Sequence, residues 1–257
     1  GTDPLDAVTV ESNGKAATDY SKFLNPNALK GKRIGVERKF QGDNQQLIDL
    51  WQRNRDLLIQ SGAEIIDIDY LDKINALGKS EFLVLKYEFK FGVNKYLTGS
   101  GSAMRSLTDV IAFNKANAGK AMPFFTQDTL EACEKTDGLD NKEYIEALVK
   151  SNTGSREIIN AVMAENKLDA ITGLTMGPAC SIDRWYGDRW GDVSLTTPAA
   201  ISGYPHITVP CGQVYGLPVG LSFFSGAYTE PLLISLAYAF EQVSKRRFQP
   251  SFKSAYE

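Results

Sequence analysis

Apolar and polar positions switch period twice near the start of the chain. Arg33-Ile34-Gly35-Val36-Glu37, bounded by Gly31 and a polar stretch, predicts a short strand. The spacing then lengthens: Leu47, Leu50, Trp51 and Leu58 share one helical stripe. Asp43 is the expected N-cap, Gln46 three residues on completes a capping box, and Gly62 is placed to end the helix. Ile66 and Ile68 alternate with Asp67 and Asp69, so residues 64–69 read as a second strand. Strand, helix and strand over residues 31–70 form a βαβ unit, which favours a parallel pair. Residues 1–30, with Pro4, Gly14, Asn25 and Pro26, read as an irregular lead-in.

Residues 79–166 carry helical spacing. Ser106 and Asp109 form a capping box ahead of Val110, Ile111 and Phe113. Further helices are expected over 127–136 and 141–166, the last interrupted near Gly154. Residues 167–257 return to strands: 168–172, 206–209 and 219–224. Thr229 is the expected cap of a closing helix, with Pro231 in its first turn. Leu232, Leu233, Leu236, Phe240 and Val243 make its buried stripe. The predicted class is α/β, a mixed β-sheet flanked by helices.

Composition removes several functions. Among 257 residues, 28 Lys and Arg face 31 Asp and Glu, a net charge of −3 that gives no bulk attraction to nucleic acid or anionic lipid. No apolar run approaches the roughly 20 residues of a membrane helix. Cys133, Cys180 and Cys211 have no metal-ligand spacing and cannot all pair. Neither a metal nor a cofactor is expected, and cytoplasm is the default compartment. The chain begins at Gly1 rather than Met, without a charged-then-apolar leader, which points to a processed chain or a fragment.

Candidate chemistry is sparse. His206 is the single histidine and opens an apolar strand, where packing or a surface position explains it better than general-base work. Cys211 reads as a small buried residue. Gly99-Ser100-Gly101-Ser102 follows no strand and lacks the Lys-Ser/Thr ending of a phosphate loop, so it reads as a turn. Lys245-Arg246-Arg247 reads either as cations complementing a helix C-terminus, the favoured alternative, or as an anion site. The segment 183–192 is the most unusual: three aspartates, two arginines, two tryptophans and a tyrosine. Such a loop is functional as often as it is a cover over a sheet edge.

The C-terminal third resembles the amidase signature family. The resemblance rests on Leu168-Asp169-Ala170-Ile171, Thr175, Pro178-Ala179 and Thr197-Pro198-Ala199-Ala200. It continues through the unbroken run from Ser202-Gly203-Tyr204-Pro205-His206 to Val209-Pro210 and through Gly216 to Phe224. Tyr87-Glu88-Phe89-Lys90, Ser106-Leu107-Thr108-Asp109 and Met122-Pro123 are similar to bacterial amidases of the peptide-amidase type. The resemblance implies the C-terminal part of an α/β/α sandwich and hydrolysis of small or peptide amides. Family members use a Ser–cis-Ser–Lys triad, with the serines in a glycine-serine-rich loop. No Gly-Gly-Ser-Ser-Gly-Gly run exists in these residues, so no catalytic residue carries over to any position. The resemblance therefore implies a C-terminal portion of an amidase, inactive by itself and working with an N-terminal half. The alternative is a binding or interaction domain of amidase ancestry, without catalysis. The substrate-binding candidates are Thr175, Asp183, Trp185 and Asp188. Asp183 or Asp188 would hold a cationic or amide group and Trp185 would line the channel. For Thr175 the alternative is a turn residue bonding its own backbone.

Overall fold

The computed structural model describes residues 1–38 and 42–249. In chain order the elements are β1 (Arg33–Glu37), α1 (Gln45–Gln60), β2 (Glu64–Ile68), α2 (Leu71–Asn75), α3 (Gly78–Gly99) and α4 (Leu107–Ala116). Next come α5 (Ala118–Ala121), α6 (Asp128–Glu134), α7 (Lys142–Leu148), α8 (Gly154–Asn166) and β3 (Ala170–Leu174). The chain closes with α9 (Thr197–Ser202), β4 (His206–Val214), β5 (Leu217–Phe224) and α10 (Glu230–Ser244). They group into two compact units.

The first unit comprises Gly1–Ile74, Arg156–Ser181 and Arg189–Glu257. Its five-stranded sheet has the order β2-β1-β3-β5-β4. β1 runs parallel to both β2 and β3, while β5 is antiparallel to β3 and β4, which makes the expected mixed sheet. Central position explains why β3 is buried along its whole length. Gly35 in β1 is required by close approach: a Cβ there would lie 2.6 Å from Leu168 Cδ1 and 2.8 Å from Ile68 Cδ1. Leu50, Trp51 and Leu58 of α1 join Leu236 and Phe240 of α10 and Phe223 of β5 in one buried cluster.

Two caps differ from the expectation. Asn44, not Asp43, caps α1, because its Oδ1 accepts from the backbone N–H groups of Gln46 (3.0 Å) and Leu47 (3.2 Å). Thr229 precedes α10 but makes no side-chain cap; its hydroxyl donates to the Gly226 carbonyl at 2.6 Å instead. Along α10, Leu233, Leu236 and Phe240 are buried, whereas Val243 is exposed and falls outside the stripe.

The second unit comprises Asn75–Ser155 and Ile182–Asp188. Tyr87 of α3 and Tyr144 of α7 stack with centroids 5.5 Å apart, and each donates to a glutamate of the other helix. Tyr87 Oη bonds Glu143 (3.0 Å) and Tyr144 Oη bonds Glu88 (2.8 Å). Ser106 caps α4 by accepting from Asp109 N–H at 3.2 Å. The interruption expected near Gly154 is a turn of π-helix at Val149–Thr153, in which the buried Ser151 hydroxyl bonds back to the Ala147 carbonyl at 2.8 Å. Gly99 ends α3, and Ser100 donates to the Leu97 carbonyl at 2.9 Å, so Gly99–Ser102 is a turn. Among the described residues no helix is long and apolar enough to cross a membrane.

Candidate functional site

In the first unit, one face of the sheet carries a continuous chain of hydroxyls that ends at the imidazole. Directly paired residues of neighbouring strands share a face, and Thr208 of β4 pairs with Ser222 of β5. His206, two residues before Thr208, lies on the same side by the two-residue period. His206 Nε2 is 2.7 Å from Ser222 Oγ. Ser222 Oγ donates to Thr175 Oγ1 at 2.7 Å, and Thr175 Oγ1 is 2.5 Å from Thr208 Oγ1. Gly220 clears the space between them, since a Cβ there would lie 2.4 Å from Thr208 Oγ1 and 2.8 Å from Thr175 Oγ1.

Thr175 just follows β3, and its backbone is held on both sides. Its N–H donates to the Gly220 carbonyl (2.8 Å), and its carbonyl accepts from Leu195 N–H (2.9 Å). Its hydroxyl therefore reaches across strands rather than bonding its own turn. Ser222 is fully buried, whereas Thr208 is exposed, so the chain leads from the interior to the surface.

The contact between His206 Nε2 and Ser222 Oγ is a hydrogen bond whose donor depends on the imidazole tautomer. Burial pushes the His206 pKa below its ordinary 6.5, which keeps the ring neutral in the native state at neutral pH. The sign for stability follows. Above pH 6.5 the ring is neutral both folded and unfolded; below it the unfolded chain takes up the proton first, and stability falls. The midpoint of thermal unfolding should therefore decrease from pH 7 to pH 5. His206→Gln keeps a hydrogen-bonding group toward Ser222 without the titration and should flatten that decrease. An unchanged pH slope in this variant would reject His206 as its source.

The other three candidates lie in the second unit, so the four predicted residues are divided between two units. Asp183 organises its own turn: its Oδ1 accepts from the backbone N–H groups of Trp185 (2.8 Å) and Tyr186 (3.0 Å). These bonds, Tyr186 first, hold its carboxyl below the usual range. The turn presents Trp185 outward at 83% exposure, and Asp188 is exposed as well. Arg184 stacks over Phe124 at 5.3 Å, at the edge of a cavity of about 510 Å³ lined by Met122, Phe124, Phe125 and Gln127. Gln127 is buried and fixed, accepting from Asn114 (3.0 Å) and donating to the Ile111 carbonyl (3.1 Å). This second constellation offers aromatic surface, a cation and an oriented amide.

Sequence reasoning passed over Thr208, Ser222 and Gly220. The available signal was the two-residue period, which puts His206 with Thr208 and Gly220 with Ser222 on common strand faces. Cys211 is buried, and burial pushes its thiol up to about 12, so it is no nucleophile. Among the described residues no three His, Cys, Asp or Glu side chains converge as a metal site.

Comparison with known proteins settles the family. The model of the Amidase family matches residues 3–234. The chain belongs to the amidase family. A protein of Arabidopsis thaliana described as a probable amidase is 34% identical over 98% of this chain and 46% of its own length. The A subunit of a glutamyl-tRNA(Gln) amidotransferase of Clostridium acetobutylicum is 29% identical over 95% of this chain and 51% of its own. Among solved structures, the native peptide amidase of Stenotrophomonas maltophilia superposes with a TM-score of 0.86 at 34% identity. That match covers 99% of this chain and 51% of the enzyme. A peptide amidase bound to the competitive inhibitor chymostatin superposes with a TM-score of 0.89 at 35% identity. The expected fold and the peptide-amidase likeness are thus found, and the chain spans about half the length of these relatives.

Proposed function

We propose that this chain is the C-terminal portion of a hydrolase of linear amides, with peptide amides as the substrate class. The observation that carries the reading is coverage: 99% of the chain corresponds to 51% of a peptide amidase. Amide hydrolysis needs an activated nucleophile, a proton route to the leaving amine and donors for the oxyanion. In this reading the serine pair and lysine lie in a segment outside residues 1–257, which hold no glycine-rich Ser-Ser run. The imidazole is already engaged with a buried serine and is unsuited to replace them. The contribution of this chain is then substrate-binding surface, and each unit carries its own candidates. Thr175 and Thr208 offer hydroxyls at the end of the sheet chain. Trp185 and Asp188 offer an aromatic face and a carboxylate, and Asp183 holds the turn that presents them.

The test begins with the purified chain and amino-acid amides. No ammonia above the blank is the expected result. Turnover that persists through repurification, and is abolished by a substitution within residues 1–257, would overturn the reading. Sequencing the coding DNA upstream of Gly1 is the second arm. An in-frame early lysine and a glycine-rich Ser-Ser loop would support the proposal. Their absence would leave a binding domain of amidase ancestry. In the assembled enzyme, Thr175→Val should lower kcat/KM by about tenfold, the worth of one hydrogen bond to a buried polar group.

A further inference from the structure

The Lys245-Arg246-Arg247 run finds a partner that the amide chemistry does not use. In the first unit, Arg246 follows the C-cap of α10 and lines a cavity of about 150 Å³ together with Arg53 and Asn54 of α1 and Gln213 of β4. Neither guanidinium is neutralised among the described residues: the ion pairs of arginines there use Arg33 and Arg38. Asp49 and Asp56, one turn to either side of Arg53 on α1, accept from Gln45 (2.8 Å) and Gln52 (3.4 Å) and form no ion pair with it among the described residues. Both arginines are exposed at this cavity, so solvent screens their mutual repulsion, and an anion seated there would be attracted by both.

The rest of the lining suits an anion. Asn54 is 2% exposed; one of its amide hydrogens goes to the Leu50 carbonyl at 2.7 Å, and the amide carries a second. Gln213 adds another amide. Cys211 also lines the cavity, and its thiol donates to the Val219 carbonyl at 3.3 Å, so no thiolate competes. Cys211 is the extra residue of a β-bulge where the β4–β5 register shifts between Pro210 and Gly212. Gly212 has φ +147, and a Cβ there would lie 2.6 Å from Leu50 Cδ1, so only glycine leaves the bulge where it is.

We propose that this cavity binds a phosphoryl group, free or as a small monoester. At roughly 30 Å³ per water, the volume holds about five waters, enough for a phosphoryl group. Two planar guanidinium forks match the charge and the bidentate geometry of a phosphate dianion.

The experiment titrates inorganic phosphate, and in parallel glycerol 3-phosphate, into the chain at constant ionic strength, read by calorimetry. Saturable one-to-one binding at low-millimolar concentration or tighter is expected. Arg53→Gln and Arg246→Gln should each weaken it about tenfold or more. Lys245→Gln, which changes the same bulk charge beside the cavity, should leave it unchanged. Tighter binding of the ester would identify a phosphate ester as the ligand, and equal or weaker binding would identify the free ion. Absence of saturable heat, or equal losses in all three variants, would overturn the proposal.

Discussion

Phe240→Ala lowers the stability of the chain by about 3–5 kcal/mol, the cost of emptying a fully buried aromatic site. Phe240 has no exposed surface and meets Phe223 of β5 edge-on, with ring centroids 6.3 Å apart. Deleting the ring removes the contact with Phe223 and leaves a cavity in the cluster that Leu233, Leu236 and Ala237 of the same helix share with the sheet. Phe240→Leu keeps most of the volume and should cost less than about 1.5 kcal/mol. Val243→Ala lies on the exposed side of the helix and should stay within about 0.5 kcal/mol. Urea denaturation of the three variants tests the order. A Phe240→Ala loss no larger than that of Val243→Ala would mean that α10 does not dock on the sheet through this face.

The contrast between these two positions shows what the sequence could and could not convey. Both fit a helical stripe by spacing, yet the last turn rotates Val243 out of the interface that Phe240 anchors. Period alone identifies a face and does not say how far a neighbouring element extends along it. The cap of α1 is another case. Asp43 and Asn44 are both good capping residues, and only the backbone path decides which one reaches the N–H groups of Gln46 and Leu47. The sequence predicts this strand only over 206–209, and Pro210 cannot donate to a ladder. The strand continues to Val214 because β4 is the edge strand of the described sheet, where a missing donor costs nothing, and the bulge at Cys211 absorbs the register shift.

The candidate site was harder to read for a related reason. Thr175 is a candidate because it follows a strand end, but its partners Thr208 and Ser222 are 33 and 47 residues away. That proximity depends on β5 pairing with both β3 and β4, which no local pattern encodes. The loop around Asp183 was visible by composition alone. The structure adds that its first carboxylate builds the turn while Trp185 is left outward. A side chain that shapes a turn and one that faces a ligand look alike in sequence, because Asp serves both purposes.

Glu37 is the second position at which a single change should be felt throughout the first unit. It ends β1 almost fully buried, and its Oε2 accepts from the backbone N–H groups of Tyr70 and Leu71, each at 2.9 Å. Those two groups open the first turn of α2 and have no carbonyl behind them, so the carboxylate caps the helix from a strand 33 residues earlier. Glu37→Ala orphans both donors in a dry environment, and at about 1–3 kcal/mol each the expected loss is about 2–6 kcal/mol. Glu37→Gln keeps one oxygen but loses the charge that favours a helix N-terminus, and should fall between wild type and alanine. Burial, and then the negative charge of Glu37, push the Tyr70 phenol well above its ordinary pKa, so this ring stays neutral beside the carboxylate. Urea denaturation of the three proteins tests the cap. Glu37→Gln as stable as wild type would keep the hydrogen-bonding role and refute the electrostatic one. Equal stability of all three proteins would refute both.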